Sequence, residues 1–194
     1  MEREAVLVGI GGQGVQLVAN VLARAAVLEG RHVSVMSVFG GEMRGGKTVN
    51  TVVFGDGPLE VPPLVSRTWS AIEMHPRYWD EVGGKLTADG FVLYNENLCG
   101  KEHEGKTYRK IPVAATEIAK SLGSESLAAM VIAAAYARLT GVAGLEAANQ
   151  AMRELVPPYR KERITENERA LETGFRLFQP LAERFAPATR KEAA

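Results

Sequence analysis

Cysteine is almost missing from this chain: Cys99 is the one thiol in 194 residues. A single thiol makes no internal disulfide, and alone it holds neither an iron–sulfur cluster nor a structural zinc ion. Cys99 is therefore expected to be a loop thiol of no consequence. An excess of either charge is missing too. Lysine plus arginine equals aspartate plus glutamate at 23 each, so the net charge is zero. Nucleic-acid binders usually carry a basic excess, and no nucleic-acid partner is expected. Zero net charge also gives little protection against self-association, which suits a chain that works inside a complex. The longest apolar run, Leu127 to Leu139, contains Arg138 and falls short of the roughly 20 residues that a membrane-spanning helix needs. No basic segment followed by an apolar one comes after Met1, so no secretory leader is read and the expected location is cytoplasmic. The histidines His32, His75 and His103 show no metal-ligand spacing and no neighbouring nucleophile suited to catalysis. No pair of carboxylates can be placed in one cleft from the pattern, so no acid–base dyad is expected. Repeats and low-complexity linkers are absent as well.

What is present is an ordinary globular composition, 46% hydrophobic and 24% charged. The length fits one domain over 1–194, strand-rich over 1–113 and helix-rich over 114–194. Residues 4–10 read as a buried strand, a short β-branched run bounded by glycines. Residues 13–29 read as a helix with Val15, Val18, Ala19, Leu22, Ala25 and Ala26 on one face, stopped by Gly30. His32 to Phe39 is a second strand, and this spacing predicts a parallel pair joined by a right-handed crossover. Further strands are expected over Thr48–Phe54, Thr68–Met74, Phe91–Tyr94 and Lys106–Val113. Helices are expected over Pro76–Leu86, 115–122, 125–140, 144–155 and 165–185. The last carries a capping-box signal, Thr165-x-x-Glu168, and a breaker at Pro180. Trp69, Tyr78 and Trp79 read as core or interface packing, and Arg160-Lys161-Glu162-Arg163 as a solvated helix approach. The fold class expected is a three-layer α/β/α domain with a mainly parallel or mixed central sheet and a helical C-terminal part.

Two glycine-rich segments stand out. Gly9-Ile10-Gly11-Gly12-Gln13-Gly14 lies between a strand and a helix, where backbone N–H groups and the positive end of the helix dipole converge. It matches the dinucleotide fingerprint formally. That site also wants an acidic residue at the end of the second strand, which here falls near Val38 and Phe39. A P-loop is excluded, because no Gly-Lys-Ser/Thr follows these glycines. The second segment, Gly40-Gly41-Glu42-Met43-Arg44-Gly45-Gly46-Lys47, brackets a charged pair with glycines. Arg44 suits bidentate contact with phosphate or carboxylate, and Lys47 adds a point charge. Both segments follow strands and should share one edge of the sheet, the edge where open α/β sheets bind ligands.

Together these segments resemble the gamma subunit of 2-oxoacid:ferredoxin oxidoreductases, the group that includes pyruvate, ketoisovalerate and 2-oxoglutarate synthases. The family pattern Gly-x-Gly-Gly-Gln-Gly appears as Gly9 to Gly14, and its Glu-Met/Val-Arg-Gly-Gly loop as Glu42 to Gly46. Ile111-Pro112, Ile118-Ala119, Asn167, Ala170 and Gly174 agree more loosely. The chain departs at Gly41, where the family usually has proline, at Trp69, near a missing aspartate, and at Ala129, in place of an asparagine. The resemblance implies a subunit of an enzyme that oxidatively decarboxylates a 2-oxoacid to an acyl-CoA and passes electrons to ferredoxin. It implies alpha and beta partner subunits, with a delta subunit in some assemblies. Thiamine diphosphate and the iron–sulfur clusters would sit on those partners. It also implies a domain that helps bind coenzyme A beside the thiamine site; the two segments suit a pyrophosphate contact or closure over a partner subunit's cofactor pocket, with Gly11, Gly12, Gln13 and Gly14 expected as one wall and Arg44, Gly45 and Gly46 as the other. None of these residues would take part in bond breaking. Two other readings stay open: a stand-alone nicotinamide oxidoreductase of Rossmann type, and a non-catalytic assembly scaffold.

Overall fold

The run Ala5-Val6-Leu7-Val8 is apolar on both sides, and a strand of that kind can only sit inside a sheet covered on both faces. In the computed structural model, which describes residues 1–41, 45–60 and 62–186, these residues are fully buried in β1 (Glu2–Ile10). The chain continues through α1 (Val15–Leu28), β2 (His32–Phe39), β3 (Lys47–Gly55), β4 (Thr68–Glu73), a 3-10 turn (Pro76–Tyr78) and α2 (Asp80–Gly83). Then come β5 (Leu86–Asn95), a 3-10 turn (Lys101–His103), β6 (Arg109–Val113), α3 (Ala115–Ser121), α4 (Ala128–Thr140), α5 (Leu145–Leu155) and α6 (Ile164–Arg176). The strands form one mixed sheet in the order β2-β3-β1-β4-β5-β6. β1, β4, β5 and β6 run parallel to their neighbours in that series, while β3 is antiparallel to both β1 and β2.

β1 and β2 point the same way, as expected, but they do not pair. β3 lies between them. The reason is apolar content. The Thr51-Val52-Val53-Phe54 stretch of β3 is buried throughout, whereas β2 is interrupted by Ser34 and Ser37 and leaves Val35, Val38 and Phe39 exposed. The strand that needs cover on both faces takes the interior, and the half-polar strand takes the edge.

Alternation along the strands divides the core. Ala5, Leu7, Val52, Phe54, Ile72 and Leu93 face α1 and the helices that follow β6. Val6, Val8, Ala71 and Val92 face the other way, against Trp79, Val82 and Tyr108. α4 is buried all round, as a helix apolar on every side must be, and α6 packs closely along it.

Three local readings are corrected. Pro76–Leu86 is not one helix but a 3-10 turn and the four residues of α2, because Gly83-Gly84 favours no helix and the Trp79 indole occupies the space beside Gly83. The strand expected over Lys106–Val113 begins only at Arg109. The last helix starts at Ile164 and ends at Arg176, short of Pro180. Thr165 therefore lies inside the helix and makes no cap, and Glu168 instead accepts a hydrogen bond from Arg153 at 2.6 Å.

Candidate functional site

α1 and α2 cover opposite faces of the sheet, so the chain leaves β1 and β4 in opposite directions. That divergence opens a crevice beyond the C-terminal ends of β1 and β4, the place where such sheets bind ligands. A cleft of about 430 Å³ lies there, lined by Gly12, Gln13 and Gly14 on one side and by Met74, Asn95 and Thr116 on the other.

The first glycine segment is shaped by close approaches. A side chain at Gly9 would press into Val15 and the Gln13 carboxamide. Gly14 adopts φ 82°, ψ 18°, a left-handed conformation that L residues other than glycine rarely take, and a Cβ there would stand 3.0 Å from Ala129. Gly14 is the N-cap of α1 and offers no side chain, and the first turn of that helix has no acidic residue. The first N–H groups of α1, and the positive end of its dipole, are thus left to whatever enters the cleft.

The two glycine segments meet. Gly11 N–H donates to the Gly46 carbonyl at 2.8 Å, and the Cβ position of Gly11 lies 3.4 Å from the Gly45 nitrogen. The connection from β2 to β3 is therefore a hairpin whose returning end touches the β1 turn. Arg44, together with Glu42 and Met43, lies outside the described residues. Lys47 makes an ion pair with Glu81 at 2.8 Å, so its charge is already engaged.

Gln13 braces this rim. Its Oε1 accepts from Ile10 N–H at 3.1 Å, and its Nε2 donates to the Met74 carbonyl at 3.3 Å. One carboxamide thereby joins the ends of β1 and β4. Removing it leaves a part-buried N–H and carbonyl unpartnered, so Gln13→Ala is expected to cost about 1–2 kcal/mol of folding stability, read as a lower denaturant midpoint with unchanged slope.

The opposite wall was not foreseen. Asn95 is buried at the end of β5, where Nδ2 donates to Thr116 Oγ1 at 2.8 Å while Oδ1 has no partner. Arg160 reaches the cleft from beyond α5, where the charge pattern alone suggested a solvated approach. The position of Asn95 just after the apolar run Phe91–Tyr94 carried the signal, because the end of every parallel strand belongs to this edge.

A second polar cluster lies beside the cleft. Glu73, the last residue of β4, is fully buried and its Oε2 lies 2.7 Å from His103 Nε2. His103 Nδ1 lies 3.1 Å from the Tyr108 hydroxyl. These contacts are satisfied together when Nε2–H donates to the carboxylate and Nδ1 accepts from the phenol. The His103 ring packs edge-on against Trp79, with centroids 4.8 Å apart. Burial pushes the Glu73 carboxyl up to about 6, against the pull of His103. Cys99 and Glu102 complete the group, and burial and the two carboxylates push the Cys99 thiol up. The structure thus supplies what the sequence could not place: Glu73 and Glu102 share one pocket, with His103 and Cys99 beside them. Adjacent strands β4 and β5 bring together residues that are far apart in sequence.

The dinucleotide reading loses its geometry. The ribose-binding carboxylate of that site belongs at the tip of a strand adjacent to β1, and here the adjacent strand on that side is the antiparallel β3. Comparison with known proteins gives another answer. Residues 4–177 match the family model described as pyruvate ferredoxin/flavodoxin oxidoreductase, and the chain belongs to that family as a gamma-type subunit. A 2-oxoglutarate synthase subunit KorC from Methanothermobacter marburgensis is 32% identical over 170 residues, covering 84% of this chain and 91% of that protein. The pyruvate/ketoisovalerate oxidoreductases common subunit gamma from Thermococcus litoralis is 29% identical over 152 residues, 75% of this chain and 82% of that one. Among solved structures, the gamma subunit of a keto/oxoacid ferredoxin oxidoreductase from Geobacter sulfurreducens superposes with a TM-score of 0.77 at 26% identity, covering 90% of this chain and 95% of its own. No described helix is long and apolar enough to cross a membrane.

Proposed function

We propose that this chain serves a 2-oxoacid:ferredoxin oxidoreductase by forming one wall of its coenzyme A site. In such a complex a 2-oxoacid is oxidatively decarboxylated to an acyl-CoA, and the electrons leave to ferredoxin. Alpha and beta subunits, with a delta subunit in some assemblies, would carry thiamine diphosphate and the iron–sulfur clusters. The single cysteine agrees with that division of labour, since clusters take several thiolates.

The observation that carries the reading is the Gly11–Gly46 bond at the N-terminal end of α1. It sets two side-chain-poor segments against each other at the rim where helix N–H groups point outward. Pyrophosphate suits such a place, because the backbone N–H groups and the helix dipole stabilise an anion that can approach closely. The open ground over Gly12, where a Cβ would meet nothing within 4 Å, gives the approach room. Arg44 would add charge from the second segment, with Gly45 and Gly46 keeping that side low. On the far wall, Asn95 is held in place by the bond from its Nδ2 to Thr116 Oγ1. Gln13 positions the rim. The role of this chain is to bind and orient; the thiol of coenzyme A supplies the acyl acceptor.

The scaffold reading makes a different prediction for one substitution. In the reconstituted complex, Arg44→Ala is expected to leave assembly intact and raise the KM for coenzyme A about tenfold, since a charge-assisted contact contributes roughly 1.5–3 kcal/mol. Loss of assembly with coenzyme A dependence unchanged would establish the scaffold instead. Tight binding of NAD(H) or NADP(H) by the isolated chain would overturn both.

A further inference from the structure

Glu73 Oε1 is a buried oxygen without a hydrogen-bond partner in a residue with no exposed surface. Its other oxygen is used by His103. A buried carboxylate with half its acceptor capacity idle is costly, and it calls for either a proton or a cation. Among the described residues, neither Glu73 nor Glu102 forms an ion pair with a lysine or arginine. One ligand atom each from Glu73, Cys99 and Glu102 lies within 4.8 Å of the others. Bonds of about 2.0–2.3 Å around tetrahedral zinc set ligand atoms roughly 3.3–3.7 Å apart, so the three side chains would draw together on binding.

We propose that Glu73, Cys99 and Glu102 bind one divalent transition-metal ion of the zinc kind. The donor set selects the metal class. Magnesium and calcium take oxygen ligands and make no use of a thiol, while copper(I) prefers sulfur throughout; a borderline ion accepts one sulfur and two oxygens. The surroundings support the ligands as well. His103 Nε2–H donates to Glu73 Oε2, which fixes the carboxylate, and Tyr108 and Trp79 hold the imidazole. Gly100 N–H donates to Glu102 Oε1 at 2.7 Å, which anchors that side chain over the pocket. Cys99 and Glu102 are partly exposed, so an ion has a way in. The two carboxylates beside Cys99 attract a cation, and metal binding displaces the thiol proton. Once bound, the ion joins the end of β4 to the loop after β5. Met74 and Leu98, which belong to those two segments, line the cleft, so the metal would stiffen its far wall.

The test uses the full chain, stripped with a chelator and titrated with Co²⁺ alone. A sulfur-to-cobalt charge-transfer band is expected, saturating at one equivalent and bleached by Zn²⁺. Because the sequence has one cysteine, the band identifies its own ligand. Cys99→Ala should abolish it. Glu102→Gln keeps the thiol and should raise the Kd for Co²⁺ by about tenfold or more. Thermal melting of both variants without metal shows that they fold. No sulfur band at saturating Co²⁺ overturns the proposal. So does a band of equal affinity in Glu102→Gln, which would be a thiol acting alone. If the two carboxylates share a proton instead, Zn²⁺ will leave the melting temperature of the native chain and of Cys99→Ala alike unchanged, and the metal site is refuted.

Discussion

Gly174→Ala should be the most damaging single-atom change in this protein. α6 lies so close along α4 that a Cβ on Gly174 would stand 2.9 Å from the Val131 Cα and carbonyl carbon, and nearer still to its carbonyl oxygen. The obstruction is main chain, which cannot rotate aside as a side chain would. The helices must separate, and Ala170 and Leu171, fully buried on the same stretch of α6, must then lose contact with α4. Overpacking of this kind costs about 3 kcal/mol or more, against the 1–3 kcal/mol usual where flexible neighbours can yield. An alanine favours the helix by about 1 kcal/mol over glycine, so the sign of the result separates packing from propensity. Chemical denaturation of the purified chain gives the answer: a large fall in midpoint supports the packing account, and a rise would contradict it.

The second large effect is expected at Arg31. This guanidinium is 2% exposed, yet it follows a glycine turn, where sequence patterns give no warning of burial. It holds two chain segments by three carbonyls: Val142 at 2.9 Å and its neighbour Gly141 at 3.2 Å, and Ala186 at 2.7 Å. It pairs with Asp56 at the end of β3 and lies over the Phe185 ring, 4.5 Å from its centre. Arg31→Ala therefore leaves several carbonyls without a donor and a ring without its cation, a loss of about 3 kcal/mol or more. Arg31→Lys should recover only a part, because one ammonium cannot reproduce the planar fork that reaches several acceptors. Proteolysis is the sharper measurement here. The segment around Phe185 is held by backbone bonds from Leu181 and Phe185 to α4 and by Arg31, and cleavage there should accelerate in the alanine variant well before global unfolding. Equal cleavage rates would show that the backbone bonds suffice.

Much of this architecture is legible in local pattern. β1, α1, β2, α4 and α5 begin and end within a few residues of where apolar spacing and glycine stops set them, because each must bury a defined face. Pattern failed where the decision was made between elements. Nothing local to β2 or β3 states which is the sheet edge, although the serines of β2 hinted at it once both strands competed for the interior. The helix around α2 fell short because the Gly83-Gly84 pair outweighs the apolar spacing that precedes it. The cleft was half legible. Glycine segments announce themselves, since close approach requires the residue itself, but Asn95 and Thr116 are common types whose meaning comes from their place at the ends of strand and helix. The Glu73–His103–Cys99–Glu102 group was invisible for the same reason, each residue being bland in its own neighbourhood.

The bond from Gly11 N–H to the Gly46 carbonyl has an evolutionary corollary. It is made by main chain on both sides, so it asks nothing of side chains beyond the exclusion of proline at position 11 and of bulk at the contact. Alignment of the two segments is thereby insulated from the chemistry they display. Gln13 aside, which braces the rim with its side chain, the junction keeps its register by main chain alone.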